Sequence, residues 1–126
     1  MSLRTSRPVN LNLLSMRFPL TAIVSILHRA SGVLLFLAIP LLLWVLQTSL
    51  QGEEQFLGIT DHLDHLVWKL VIWLVLSALL YHLVAGIRHL LMDMHIGESK
   101  QGGRCGAQAV LAISGLLMIL CGAWLW

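Results

Sequence analysis

The chain has 126 residues, 58% of them hydrophobic and only 11% charged, a balance that excludes a soluble multidomain enzyme and places it among membrane proteins. A formal charge of +2, with no basic stripe, gives no indication of nucleic acid. Cys105 and Cys121 fall about 24 Å apart along one expected helix, too far to bridge. No CxxC or Cys/His cluster is present, so the chain is expected to hold no iron–sulfur cluster or structural zinc of its own.

Residues Met1 to Phe18 form a short basic leader with Arg4, Arg7 and Arg17. The apolar run after it is far longer than a signal-peptide core and shows no small-residue cleavage site near its end, so it is expected to stay as the first helix. Arg7-Pro8 reads as extended or turn-like, while Pro19 suits the first turn of that helix, where a missing N–H is harmless. The first span is expected over about 20–50, with Pro40 as a packing kink.

Gln51 to Leu66 holds Glu53, Glu54, Asp61 and Asp64 without Lys or Arg and reads as an exposed loop. His62 and His65 within it read as solvated side chains and take no role. A second span is expected over about 66–92. A link from Met94 to Gly103 follows, and then a third span over about 105–126, where Gly115 and Gly122 share a face that lets another helix approach. Trp44, Trp68, Trp124 and Trp126 read as interfacial anchors, with Trp73 deeper. The expected fold is thus all-α and integral to the membrane, one anchor domain over 1–126 with three transmembrane helices.

Charge sets the expected topology. Of the 8 Lys and Arg residues only Lys69 adjoins the acidic loop. The positive-inside rule therefore places the N-terminus and the 94–103 link in the cytoplasm, and the acidic loop and the C-terminus outside.

His82 stands in the uncharged run from Leu70 to Ile87, which spans roughly 27 Å of helix, close to the hydrocarbon thickness of a bilayer. A polar side chain at such depth faces a bundle interior and finds a partner, a metal or a cofactor. Gly86 and His89 share its helical face, the glycine leaving room for a flat ligand. His89, about 10.5 Å further along the axis, can meet the polar edge of such a ligand but not the opposite side of a metal held by His82. On spacing alone His82 is either a ligand or an interhelical hydrogen bonder.

Ser25, His28 and Arg29 share a second face, extended by Gly32. A hydroxyl and a guanidinium there can hold a carbonyl or a carboxylate. The alternative is that His28 and Arg29 snorkel to lipid phosphates.

Arg7-Pro8, Ser25-x-x-His28-Arg29-x-Ser31-Gly32 and His82-x-x-x-Gly86-Ile87-Arg88-His89-x-x-x-Asp93 together resemble the signatures of the cytochrome b membrane-anchor subunit of succinate dehydrogenase, respiratory complex II. The resemblance runs from about Arg7 to Asp93, and its N-terminal segment is similar to the bacterial form. It implies that His82 is one axial ligand of a b-type haem whose other ligand comes from a second small hydrophobic anchor subunit. It also implies that Ser25 and Arg29 help to form a ubiquinone site, with His28, Arg29 and His89 near the haem edge. FAD and iron–sulfur clusters would then lie in partner subunits, a flavoprotein and an iron–sulfur protein, at the bacterial inner membrane. Two rival readings are the anchor of a quinol:fumarate reductase, running the same electron path in reverse, and a non-catalytic membrane scaffold. A transporter would be expected to show broken helices or internal repeats, and neither is found.

Overall fold

A computed structural model describes residues 18–126. Arg4, Arg7, Pro8 and Arg17, which carry the leader and part of the charge asymmetry, lie outside the described residues. Four helices follow in order: α1 (Leu20–Ser49), α2 (Glu53–Asp64), α3 (Leu66–Asp93) and α4 (Lys100–Leu125). There is no strand among the described residues. Three of the helices, α1, α3 and α4, are long and apolar enough to cross a membrane.

Pro19 is the N-cap of α1 rather than part of its first turn, and its carbonyl accepts from Ala22 N at 2.9 Å. The helix runs on through Pro40 to Ser49. The acidic stretch is not a loop. Residues Glu53–Asp64 form α2, with Glu53 and Glu54 in the first turn, where the helix dipole favours negative charge, and His62 in the last. Ile59 is buried, and Trp44 and Thr48 of α1 line one cavity with Gln55, Gly58, Ile59 and His62. His62 Nδ1 lies 2.7 Å from the Gly58 carbonyl of its own helix, a local contact.

Between α3 and α4 the chain turns through His95 and Gly97, both at positive φ. Ile96 N donates to Leu91 O and His95 N to Met92 O, each at 2.9 Å, the paired closure of a left-handed helix end. Ser99 then caps α4 by accepting from Gly102 N at 3.0 Å. Helix α4 therefore starts at Lys100, and Gly102-Gly103 lies in its first turns instead of in a linker. A Cβ at Gly102 would sit 2.9 Å from Ser99 Oγ, which is why a glycine is needed there.

The three long helices pack antiparallel in sequence, each against the other two. Trp44 and Trp68 have ring centroids 6.4 Å apart where the C-terminal part of α1 meets the start of α3. At the opposite end Val24, Tyr81, Ala85, Ala107 and Val110 form the buried core. Small residues at Ala85 and Ala107 let the helices approach there, as expected where interhelical packing must come from close contact rather than from hydrophobicity. Tyr81 stays buried in that core because its hydroxyl donates to the Val24 carbonyl at 3.0 Å. Trp73 ties α3 to α4 through Nε1–H to Met118 O at 3.1 Å, with Gly122 beneath its indole. Gly115, expected to share this close approach, has open space above it.

Candidate functional site

The end of the bundle that holds the core also gathers three imidazoles. His28 of α1 stacks on His82 of α3, with centroids 4.1 Å apart and planes inclined by 22°. His89, two turns further along α3, lies 4.9 Å from His28 and is tilted by 44°. So α1 delivers His28 between the two histidines that α3 spaces along one face. Leu83, Gly86, Ile87 and Leu90 complete an open, mainly apolar groove of about 400 Å³ lined by all three rings.

A glycine stands opposite each imidazole of this pair, and at Gly32 the close approach leaves no comfortable room for a side chain. A Cβ on Gly32 would lie 3.1 Å from His82 Cε1, and one on Gly86 would lie 3.6 Å from His28 Nε2. Each helix therefore offers a glycine to the other helix's histidine. The room that the sequence suggested Gly86 reserves for a flat ligand is, in this structure, faced by the His28 imidazole.

The protonation of His82 follows from its partners. Nδ1 lies 3.2 Å from the His28 carbonyl oxygen and 3.1 Å from Ser31 Oγ. Ser31 in turn donates its own hydrogen to the His28 carbonyl at 2.7 Å. A carbonyl can only accept and a hydroxyl that has given its hydrogen away can only accept, so the proton belongs on Nδ1. Nε2 is left with its lone pair, has no hydrogen bond among the described residues, and is not among the buried atoms. His82 is thus an interhelical hydrogen bonder through one nitrogen and a possible ligand through the other. His28 Nε2, by contrast, is buried without a partner, an arrangement that costs free energy unless something outside the chain meets it.

Ser25 and Arg29 lie on α1, respectively three residues before His28 and next to it in the chain. They share a face of α1, with Ser25 half-buried and Arg29 exposed, and neither takes part in the imidazole stack. The exposed position of Arg29 suits an anionic or carbonyl group brought from outside the bundle. Arg88 is different. Only 8% exposed, it donates from Nη2 to Gly103 O at 3.3 Å, while Gly106 makes room for its Nε. Through that bond it ties α3 to α4, while its Nε is buried without a partner among the described residues. Ser31, Tyr81 and Gly106 are the residues of this region whose parts the sequence did not disclose.

Among the described residues no group of three or more His, Cys, Asp or Glu side chains is arranged to hold a metal ion between them, the three stacked imidazoles included. A metal here would be taken by a single imidazole with further ligands from elsewhere, as a haem iron is.

Fold and site together define a multi-pass helical membrane subunit whose polar residues are concentrated at one end, around a histidine with an available ring nitrogen. Residues 4–121 match the family described as succinate dehydrogenase/fumarate reductase transmembrane subunit. A succinate dehydrogenase cytochrome b556 subunit of Coxiella burnetii is 44% identical over 125 residues, covering 98% of this chain and 100% of that one. The subunit of the same name from Paracoccus denitrificans is 33% identical over 93% of this chain and 90% of its own length. A succinate dehydrogenase cytochrome b560 subunit of Marchantia polymorpha is 30% identical over 98% and 88%. The chain belongs to the succinate dehydrogenase/fumarate reductase transmembrane subunit family, as a cytochrome b type membrane anchor of the succinate dehydrogenase complex.

Proposed function

We propose that His82 is an axial ligand of a b-type haem held between this chain and a second small hydrophobic anchor subunit, and that Ser25 and Arg29 help to form the site where ubiquinone is reduced. The fixed proton on His82 Nδ1 carries this reading, because a metal-binding imidazole must present an unprotonated nitrogen and is usually oriented by a hydrogen bond from the other. Haem, when bound, supplies a one-electron carrier. The residues of the chain hold and orient it. His28 and His89 extend the imidazole column along the groove, and Arg29 supplies a positive charge for a carboxylate at the haem edge. His28 lies flat against His82 and His89 lies beyond it, so neither would share the iron with His82, and on this reading the partner anchor would supply the other ligand.

Ser25 and Arg29 meet the quinone ring. The serine hydroxyl donates to a quinone carbonyl, and the guanidinium stabilises negative charge developing on that oxygen as electrons and protons arrive. Succinate is oxidised in a flavoprotein subunit carrying FAD, and an iron–sulfur subunit passes the electrons on. The names of the relatives, all of them succinate dehydrogenase subunits, support the succinate-oxidising direction over the fumarate-reducing one.

In the bacterial inner membrane the histidine end of the bundle faces the cytoplasm. Lys100 and Arg104 stand there with the 94–99 turn, while α2 with its acids is at the other end, which supports a cytoplasmic N-terminus and a periplasmic C-terminus. A reduced-minus-oxidised spectrum of the purified membrane complex, with its co-purifying subunits identified, tests the reading. A b-type haem accompanied by a flavoprotein and an iron–sulfur protein is expected, and a colourless preparation without soluble partners contradicts it.

A further inference from the structure

We propose that Ser31 is a positioning residue for the haem ligand, fixing the tautomer and orientation of His82 so that Nε2 carries the free lone pair. This rests on the reading of His82 as an iron ligand. Ser31 is buried, 8% exposed, on the α1 face that meets α3. Its hydroxyl bonds back to the carbonyl of His28 at 2.7 Å, so its hydrogen is engaged within α1 and only its lone pairs face His82. Nδ1 of His82, at 3.1 Å, must donate to it. In the opposite tautomer the Nδ1 lone pair would face two oxygen acceptors, Ser31 Oγ and His28 O, with no hydrogen between them. Gly32, next in the chain, lets the ring come close enough for both bonds.

Donation from Nδ1–H to two oxygens shifts electron density toward Nε2, which strengthens that nitrogen as a ligand and favours the more positively charged, oxidised metal. Ser31→Ala removes one of the two acceptors and leaves the His28 carbonyl. In the assembled complex it is expected to raise the haem midpoint potential and to weaken haem retention by about tenfold, the lower end of the usual effect of losing such an outer partner. Ser31→Thr keeps a hydroxyl able to bond back into the helix and is expected to restore both properties. Ser77→Ala is the control. Ser77 is equally buried, at 8%, but its Oγ has no hydrogen-bond partner, so its removal is expected to leave the potential in place.

The experiment is a redox titration of the purified complex, followed by haem absorbance, on the wild type, these three variants and His82→Leu. An upward shift in Ser31→Ala, reversed in Ser31→Thr and absent in Ser77→Ala, supports the proposal. A wild-type potential in Ser31→Ala, no recovery with threonine, or an equal shift in Ser77→Ala overturns it. If His82→Leu loses the haem while Ser31→Ala titrates as wild type, Ser31 alone is excluded. If His82→Leu keeps an unchanged haem, both readings fall together.

Discussion

Gly32 of α1 and His82 of α3 are in such close register that a Cβ on the glycine would lie 3.1 Å from the imidazole Cε1. Contact at that distance forces a neighbour to yield, and the neighbour here is a ring held by two hydrogen bonds through Nδ1. Gly32→Ala should therefore displace His82 from its acceptors, and Gly32→Val should do so more severely. Overpacking of this kind costs about 1–3 kcal/mol, roughly a five- to hundredfold loss of haem affinity if the strain is relieved in the haem-free protein. Gly86→Ala, whose Cβ would meet His28 Nε2 at an ordinary 3.6 Å, should be far milder. Haem content per purified complex, compared across the three variants, checks the order.

Quinone chemistry should separate from electron delivery. Loss of a charge-assisted hydrogen bond to the quinone oxygen is worth about 1.5–3 kcal/mol, hence a ten- to hundredfold fall in rate if it acts fully in the transition state. Ser25→Ala and Arg29→Leu should thus depress succinate-to-ubiquinone activity and leave reduction of a water-soluble dye intact. Ser25→Ala is the cleaner variant, because Arg29 is also proposed to reach the haem edge. Full quinone activity in Ser25→Ala at limiting quinone would make the serine a packing residue.

The α3–α4 contact is anchored by Trp73, whose Nε1–H reaches Met118 O at 3.1 Å. Trp73→Phe should lower stability by about 1 kcal/mol through the lost bond, with a further loss from the smaller ring. Gly122→Ala should disturb the same contact from the other side, since its Cβ would lie 3.1 Å from that nitrogen. Thermal unfolding of the detergent-solubilised complex, followed by tryptophan fluorescence, measures both. An unshifted midpoint in the two variants would mean that the helices are held together elsewhere.

At the α2–α3 junction the Lys69 ammonium, 2.7 Å from Asp64, holds the aspartate carboxyl below the usual carboxylate range, first by its hydrogen bond and then by its charge. Because the folded-state value is depressed, the contribution to stability is present above the unfolded-state pKa. It fades as pH falls through the lower, folded-state value. Lys69→Met should bring the Asp64 titration back up toward that of an unpaired carboxylate, read from the pH dependence of a carboxyl-specific NMR signal. The same midpoint in both proteins would dissolve the pair.

How much of this could be read from the sequence depends on how local each signal is. The three long helices were legible because each contains an uncharged run of about bilayer length, and His82 stood out as a polar residue within one of them. Helix α2 was not, since acids and Gly58 outweigh its apolar residues; its signals were Glu53 and Glu54 in a first turn and Ile59 and Leu63 one turn apart. The start of α4 was hidden by Gly102-Gly103, which reads as a breaker until Ser99 is recognised as the cap. Ser31 could not be assigned a partner from spacing, because the ring it meets comes from a helix 51 residues away in the chain. Gly86 was read as room for a flat ligand and Gly32 as an open extension of the Ser25 face, and local spacing could not show that each one faces the histidine of the opposite helix.

Whether Nε2 of His82 binds haem iron is decided by the reduced-minus-oxidised spectrum of His82→Leu in membranes where the variant chain is shown to be inserted. Insertion depends on helix hydrophobicity, which leucine preserves. The b-type signal is expected to be lost or altered, with dye-linked succinate oxidation retained by the soluble subunits. A spectrum identical to that of the wild type would contradict the assignment and place the ligand on another histidine.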